Sequence, residues 1–171
     1  GSNPCLQAAA TLTVLTSAPP NNGATVFRPP YVGANKPLFS TSSLDAQIAA
    51  LPRLASTTTI DSDLPTLTQA RDRIRRPDIG YHVEDVSAFH PVDNVLCCGE
   101  TNPYNPGLSA VYIDSVLRIL IAKAGDSESM RREVMIAATQ RGIDIYGMRA
   151  MGMHWYAAGG TNFGPRGPIV F

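Results

Sequence analysis

The prolines of this chain stop at Pro106 and return only at Pro165 and Pro168. Twelve of the 14 prolines therefore precede residue 107. Proline lacks a backbone donor and breaks a helix from within, so the first half is punctuated too often for long helices. The sequence predicts an irregular first half and a helical second half.

The proline-free stretch opens with a helix predicted over residues 108–123. Asn105 suits its N-cap, because the side-chain oxygen can accept an amide proton of the first turn. Pro106 suits the first helical position, and Gly125 suits the left-handed residue that ends a helix. Apolar residues leave this helix almost no polar face, which is typical of a helix buried inside something larger.

A second helix is predicted after a very short link. Asp126 or Ser127 can cap it. Gly142 and Gly147 fall within its spacing, where they either end the helix or mark close packing against a neighbour. So short a link makes the two helices antiparallel neighbours, which predicts an αα-hairpin.

The N-terminal region is predicted to be extended. Thr11–Thr16 alternates threonine with leucine and valine, the pattern of a half-buried strand. Pro19–Gly23 is a turn signal, and Ala24–Arg28 is a second short strand. Each residue before a proline is pushed away from helical backbone angles. Arg28–Tyr31 is therefore expected to lie across a surface as an arm or clamp.

Two short helices are predicted before the long ones. Ser43 caps the first, over Leu44–Leu51, and Pro52 stops it. Thr66 and Gln69 form the capping-box pattern of the second, which ends before the next proline. Its apolar face consists of Leu67, Ala70 and Ile74.

These elements predict a mainly α protein with long irregular, Pro-rich segments. Residues 1–42 form an extended arm with short strands, and residues 43–106 form short helices and Pro-rich loops. Residues 107–171 form the αα-hairpin and a Gly-rich aromatic loop. The whole is one domain, and because one hairpin cannot bury faces this apolar, it is incomplete or is completed by neighbours.

Charge and hydropathy narrow the classes of partner. Hydrophobic residues make up 44% of the chain, charged residues 16%, and the formal net charge is zero. Nucleic-acid binding needs clustered basic residues; the pair Arg131–Arg132 and the run at 73–76 are interpreted as solvated helix faces. No apolar run is long enough to span a bilayer. The sequence predicts neither a nucleic-acid partner nor a membrane one.

The cysteines leave several alternatives open. Cys97 and Cys98 are adjacent, with His82 and His90 upstream, but they lack the spacer that lets two thiolates face one metal ion. In an oxidising compartment Cys5 can pair with one of them, and a strained disulfide between the two adjacent cysteines is the alternative. All three can also be plain buried thiols. We predict no metal and no cofactor.

No signature assigns a catalytic residue. The nucleophile elbow, the P-loop, the dinucleotide fingerprint and the zinc-protease helix are all missing. His82 and His90 can act as acid–base groups or simply as loop histidines. Asp144 and Glu133 can supply paired carboxylates, but both fall at helical positions with ordinary solvent or dipole explanations. The catalytic residues stay unknown.

The terminal loop is the best candidate for ligand binding. His154, Trp155 and Tyr156 offer an imidazole and two flat amphipathic rings, and glycines follow. Asn162 and Arg166 add polar groups. Aromatic faces beside such groups are what sugar recognition uses. The alternative is that the two rings close the core over the hairpin.

A series of short motifs runs along residues 23–171. They are Phe27–Arg28–Pro29–Pro30–Tyr31, Lys36–Pro37, Leu51–Pro52, His90–Pro91, Gln140–Arg141–Gly142–Ile143–Asp144–Ile145–Tyr146–Gly147, and Trp155 followed by Gly159–Gly160, Gly164, Arg166 and Pro168–Ile169–Val170–Phe171. In this order they resemble the front part of a family of large bacterial proteins, secreted and sometimes phage-encoded. That family has an extended N-terminal segment before a helical array suggestive of an α/α toroid, as in polysaccharide lyases and related carbohydrate-active proteins.

The resemblance implies a fragment of an α/α array in a carbohydrate-associated protein. The family's terminal loop usually carries a histidine where this chain has Thr161, and Pro165 interrupts its basic pair, so no catalytic or metal role is carried over. We expect a secreted or particle-surface protein associated with polysaccharide binding or processing. The alternative is a non-catalytic structural subunit of a virion or surface assembly. The expected partners are polysaccharide or other protein subunits, in a homo-oligomer or a larger chain, with an extracellular or particle-surface location.

Overall fold

The computed structural model describes residues 12–56, 64–75 and 113–152. This part of the chain is mainly helical, which confirms the predicted class. The helices, besides a 3-10 turn, are α1 (Leu44–Ala50), α2 (Leu67–Arg75) and α3 (Glu128–Ala150), and residues 113–118 are helical as well. Two short strands, β1 (Leu54–Ala55) and β2 (Ile121–Ala122), pair in parallel, with Leu54 opposite Ile121.

Helix α3 is the element on which the others pack. Ser127 caps it, accepting a hydrogen bond from the amide of Met130 at 3.2 Å. The helix runs for 23 residues, through both Gly142 and Gly147. Twelve of its 23 residues are buried, and α2 and α1 lie against it. The main core consists of Phe27, Leu44, Ile48, Leu67, Ala70, Ile119, Val134, Met135 and Ile143.

Both short helices are confirmed, because their start signals are local. In α2 the amide of Thr66 donates to the side-chain oxygen of Gln69 at 2.8 Å, and the amide of Gln69 donates to the Thr66 hydroxyl at 3.1 Å. This is the reciprocal capping box. Helix α1 begins after Ser43, although that hydroxyl makes no capping bond, and it ends one residue before Leu51.

The helix predicted over residues 108–123 is wrong at its end. Residues 113–118 are helical, a turn follows, and Ile121 and Ala122 form β2. The amides of Ile119 and Leu120 donate to carbonyls three residues back, which tightens the last turn. Pairing with β1 outcompetes a further helical turn here. The predicted start at Asn105 lies outside the described residues, so the complete hairpin stays a prediction.

The strand predictions at the N-terminus are also wrong. Residues 12–16 form no strand, and Ala24–Arg28 contributes only a single bridge, between Val26 and Ser40. Within the described residues, neither of these two segments pairs with a longer strand. The turn signal is confirmed by a 3-10 turn at Pro20–Gly23, where Asn21 and Asn22 have positive φ angles of 48° and 53°.

Candidate functional site

The residues predicted to bind a ligand lie outside the described residues. They are His154, Trp155, Tyr156, Asn162 and Arg166. The three cysteines, His82 and His90 lie outside them as well. The aromatic site therefore stays a prediction from sequence. Within residues 12–56, 64–75 and 113–152, no group of three His, Cys, Asp or Glu side chains is placed to hold a metal ion.

The two candidate carboxylates do not come together. Asp144 and Glu133 both lie on α3, separated by about 16 Å along the axis at the usual rise per residue. Glu133 is surface-exposed and pairs with Arg71 at 2.6 Å. Asp144 is buried and pairs with Arg28 instead. They cannot serve one reaction centre, and the surface explanation of Asp144 is wrong.

A closed loop, residues 27–39, brings Arg28 to α3. The amide of Phe27 donates to the carbonyl of Phe39 at 2.7 Å, and the amide of Thr41 donates to Thr25 at 3.0 Å. Phe27 itself sits in the main core. These contacts fix the base of the loop, and Arg28, the next residue after Phe27, bonds to the helix.

The first residues of the loop are joined to the helix by polar contacts among four residues that we name the ionic clasp: Arg28, Tyr31, Gln140 and Asp144. Arg28 donates to the Asp144 carboxylate at 2.5 Å, and the amide of Tyr31 donates to the other oxygen at 3.3 Å. The Gln140 amide donates to the carbonyl of Arg28 at 2.9 Å. The clasp thus joins the motif Phe27–Tyr31 to the motif Gln140–Gly147. The sequence alone does not predict this contact.

Beside the ionic clasp, the loop touches the bare backbone of α3. A Cβ atom built on Gly147 would lie 2.3 Å from the Cβ of Pro30. Glycine is therefore required for this approach, and the alternative of close packing at Gly147 is correct. On either side of Gly147 in the sequence, Met148 and Ile145 form a small apolar cluster with Tyr31 and Val32.

Burial dominates the electrostatics of the clasp. It raises the pKa of Asp144 above its usual value, against the opposing effects of Arg28, the Tyr31 amide and Arg141. Burial also lowers the pKa of Arg141 to about 10, although Tyr31 and Asp144 oppose this. Arg141 is still a cation at neutral pH, so the carboxylate lies between two positive charges.

The raised pKa predicts the sign of a pH effect. The folded state binds the Asp144 proton more tightly than the unfolded state, so this group's stabilising contribution is complete below the unfolded pKa. The contribution is lost as pH rises through the raised folded pKa. We expect the free energy of unfolding of the wild type, minus that of Asp144→Asn, to increase as the solution is acidified. Urea unfolding of both proteins across the acidic range measures it; a difference that shrinks on acidification would contradict the assignment.

A second buried charge organises the segment before α3. The side chain of Arg118 is 1% exposed. It donates to the carbonyls of Pro65 at 2.7 Å and Ile121 at 2.9 Å, and to both oxygens of Asp126 at 2.6 and 2.8 Å. Asp126 also accepts from the amide of Lys123. Sequence reasoning missed this site; the signal was a lone charge between Asp114 and Lys123 in an apolar run.

One arginine of the Arg131–Arg132 pair does not lie on a solvated face. Arg131 is 4% exposed and donates to the carbonyl of Ile119 at 2.8 Å. Its neighbour Arg132 points outward and bonds to Asp45 of α1 at 2.6 Å. The interpretation of the pair as a surface feature is therefore wrong for Arg131, whose head group closes the turn before β2.

A shallow cavity of about 280 Å³ lies between α1 and the first turn of α3. Its lining includes two acids, and an arginine lies beside each: Arg132 pairs with Asp45, and Arg53 pairs with Glu128. The Arg53 contact lowers the pKa of Glu128. Both acids are thus already neutralised by ion pairs that join neighbouring elements.

Large apolar side chains are exposed in two places, near the start of the described residues and on β1. Leu12 and Val14 are 90% and 77% exposed, and Leu54 on β1 is 58% exposed.

In the described ranges no helix has the length and hydropathy to cross a membrane. Comparisons with protein-family models, with curated proteins and with solved structures found no match to this chain.

Proposed function

We propose that this chain is a non-catalytic structural subunit of a larger extracellular or particle-surface assembly. The observation that carries the proposal is the exposure of Leu12 and Val14, two large apolar side chains that are two positions apart in one segment. Scattered apolar residues on a surface are ordinary. Two nearly bare ones, two positions apart, favour a contact with another protein.

The use of charge supports the same proposal. Arg118, Arg131 and Asp144 are buried, and each is bonded to carbonyls, amides or opposite charges. These contacts hold irregular segments against helices. Such an arrangement suits a structural protein, because buried ion pairs favour one conformation at the cost of desolvating the charges.

Sedimentation velocity over a wide range of protein concentration tests the proposal. A structural subunit is expected to show a sedimentation coefficient that rises with concentration, because association follows mass action. A compact monomer at every concentration would overturn it.

Polysaccharide binding is the second candidate. Tyr146 and Met151, near the end of α3, are 56% and 53% exposed, and the predicted aromatic site at His154–Tyr156 follows directly in sequence. Trp155 is the only tryptophan, so its emission reports on that site alone. Titration with acidic and neutral polysaccharides should release heat and shift the emission. No heat and an unchanged spectrum would remove this candidate.

A further inference from the structure

Residues 12–15 have the properties of a strand without a sheet. Their sequence, Leu-Thr-Val-Leu, is rich in residues that favour strands. In the structure their exposure alternates: Leu12 and Val14 are exposed, whereas Thr13 and Leu15 are half-buried. This is the period of two that a strand imposes on its side chains. Yet the segment pairs with no strand in the described chain.

The β1–β2 sheet offers a complementary edge. The amides of Leu54 and Ser56 donate to the carbonyls of Leu120 at 2.8 Å and Ala122 at 3.2 Å. Successive amides of a strand point to opposite sides, so the amide of Ala55 points away from β2. Both residues of β1 are exposed. A sheet of two such short strands is marginal by itself.

We propose that residues 12–15 of one copy pair with β1 of a second copy and extend its sheet to three strands. This inference rests on the proposed assembly function and names its partner surface. Strand addition at a sheet edge is a general mode of recognition, in which main-chain hydrogen bonds give affinity. The pairing brings the exposed apolar side chains of Leu12, Val14 and Leu54 to one interface.

The donor segment lacks the features that normally protect an edge. Charged residues and prolines on edge strands prevent pairing between molecules, and very short strands limit it. Residues 12–16 contain no charge and no proline, whereas β1 has only two residues and directly follows Pro52 and Arg53. The donor segment and the acceptor edge are different surfaces of the same chain, so the contact is head-to-tail. Such contacts generate rings or open filaments.

The test uses one variant for each surface. The donor variant carries Leu12→Lys and Val14→Lys, and the acceptor variant carries Leu54→Lys. Because all three side chains are exposed, the fold is expected to persist, and thermal unfolding by circular dichroism checks this. Leu38→Lys, at a side chain 37% exposed, is the matched control. In sedimentation velocity the donor and acceptor variants should each stay monomeric, while the control assembles like the wild type.

Mixing the two variants sharpens the result. The donor variant keeps its β1 edge, and the acceptor variant keeps its strand, so the mixture has one working contact and should stop at a 1:1 dimer. In wild-type assemblies, amide hydrogen exchange at residues 12–15 and at Ala55 should slow relative to the monomer.

The outcomes separate the two proposals. A wild type that assembles, with variants that assemble equally well, overturns the strand pairing and leaves the assembly function standing. A mixture of variants that stays monomeric also overturns the pairing. A wild type that is monomeric at all concentrations overturns both.

Discussion

Replacing Arg118 by methionine is expected to lower the free energy of unfolding by about 3–5 kcal/mol, the usual cost of removing one partner from a buried ion pair. The substitution keeps most of the side-chain volume. It removes the Arg118 donor from the carbonyls of Pro65 and Ile121, and it leaves the Asp126 carboxylate with the amide of Lys123 but without its charged partner. A loss of this size is a large part of the stability of an ordinary domain.

Urea unfolding followed by circular dichroism measures the effect. Arg53→Met is the matched control, because it removes the same kind of side chain from an exposed ion pair with Glu128. Exposed pairs contribute little, so the control should unfold close to the wild type. Equal midpoints for the two variants would show that Arg118 is not an organising residue.

The second large effect is expected at Gly147. Alanine there would gain roughly 1 kcal/mol of helix propensity. However, its Cβ would lie 2.3 Å from the Cβ of Pro30, far inside the distance at which carbon atoms attract. The loop must move off the helix, which strains the ionic clasp. We expect a net loss of about 1–3 kcal/mol, the usual range for overpacking.

A double-mutant cycle isolates this contact. Pro30→Gly removes the carbon atom that blocks the new methyl group. In that background Gly147→Ala should be neutral or stabilising, because only the gain in helix propensity remains. The same loss with and without Pro30 would mean that the close approach does not decide the need for glycine.

The sequence predicted best where the signals are local. The capping box of Thr66 and Gln69 lies within one turn, and so does the Ser127 cap of α3; both are observed. The turn at Pro20–Gly23 depends on residues that tolerate positive φ, and it too is local. These signals need no knowledge of the rest of the chain.

Long-range pairing explains the failures. The apolar residues before Lys123 predict a helix through Ile121, but Leu54 pairs with Ile121 and makes it a strand. Arg118 donates to the carbonyl of Pro65, 53 positions earlier in the chain, a contact that no local pattern predicts. Likewise the pattern of Arg28–Tyr31 indicated a clamp without indicating where it binds. The candidate aromatic site at His154–Tyr156 lies outside the described residues, so it stays a prediction.

During translation the ionic clasp can form only after Asp144 has been synthesised. Arg28 and Asp144 are 116 positions apart, so a ribosome releases the loop long before its helix exists. Until then Pro30 and Tyr31 have no helix surface to bind, and Leu12 and Val14 are part of the same unfolded segment. Chains translated side by side therefore expose the loop, Leu12 and Val14 to one another before Asp144 has been synthesised.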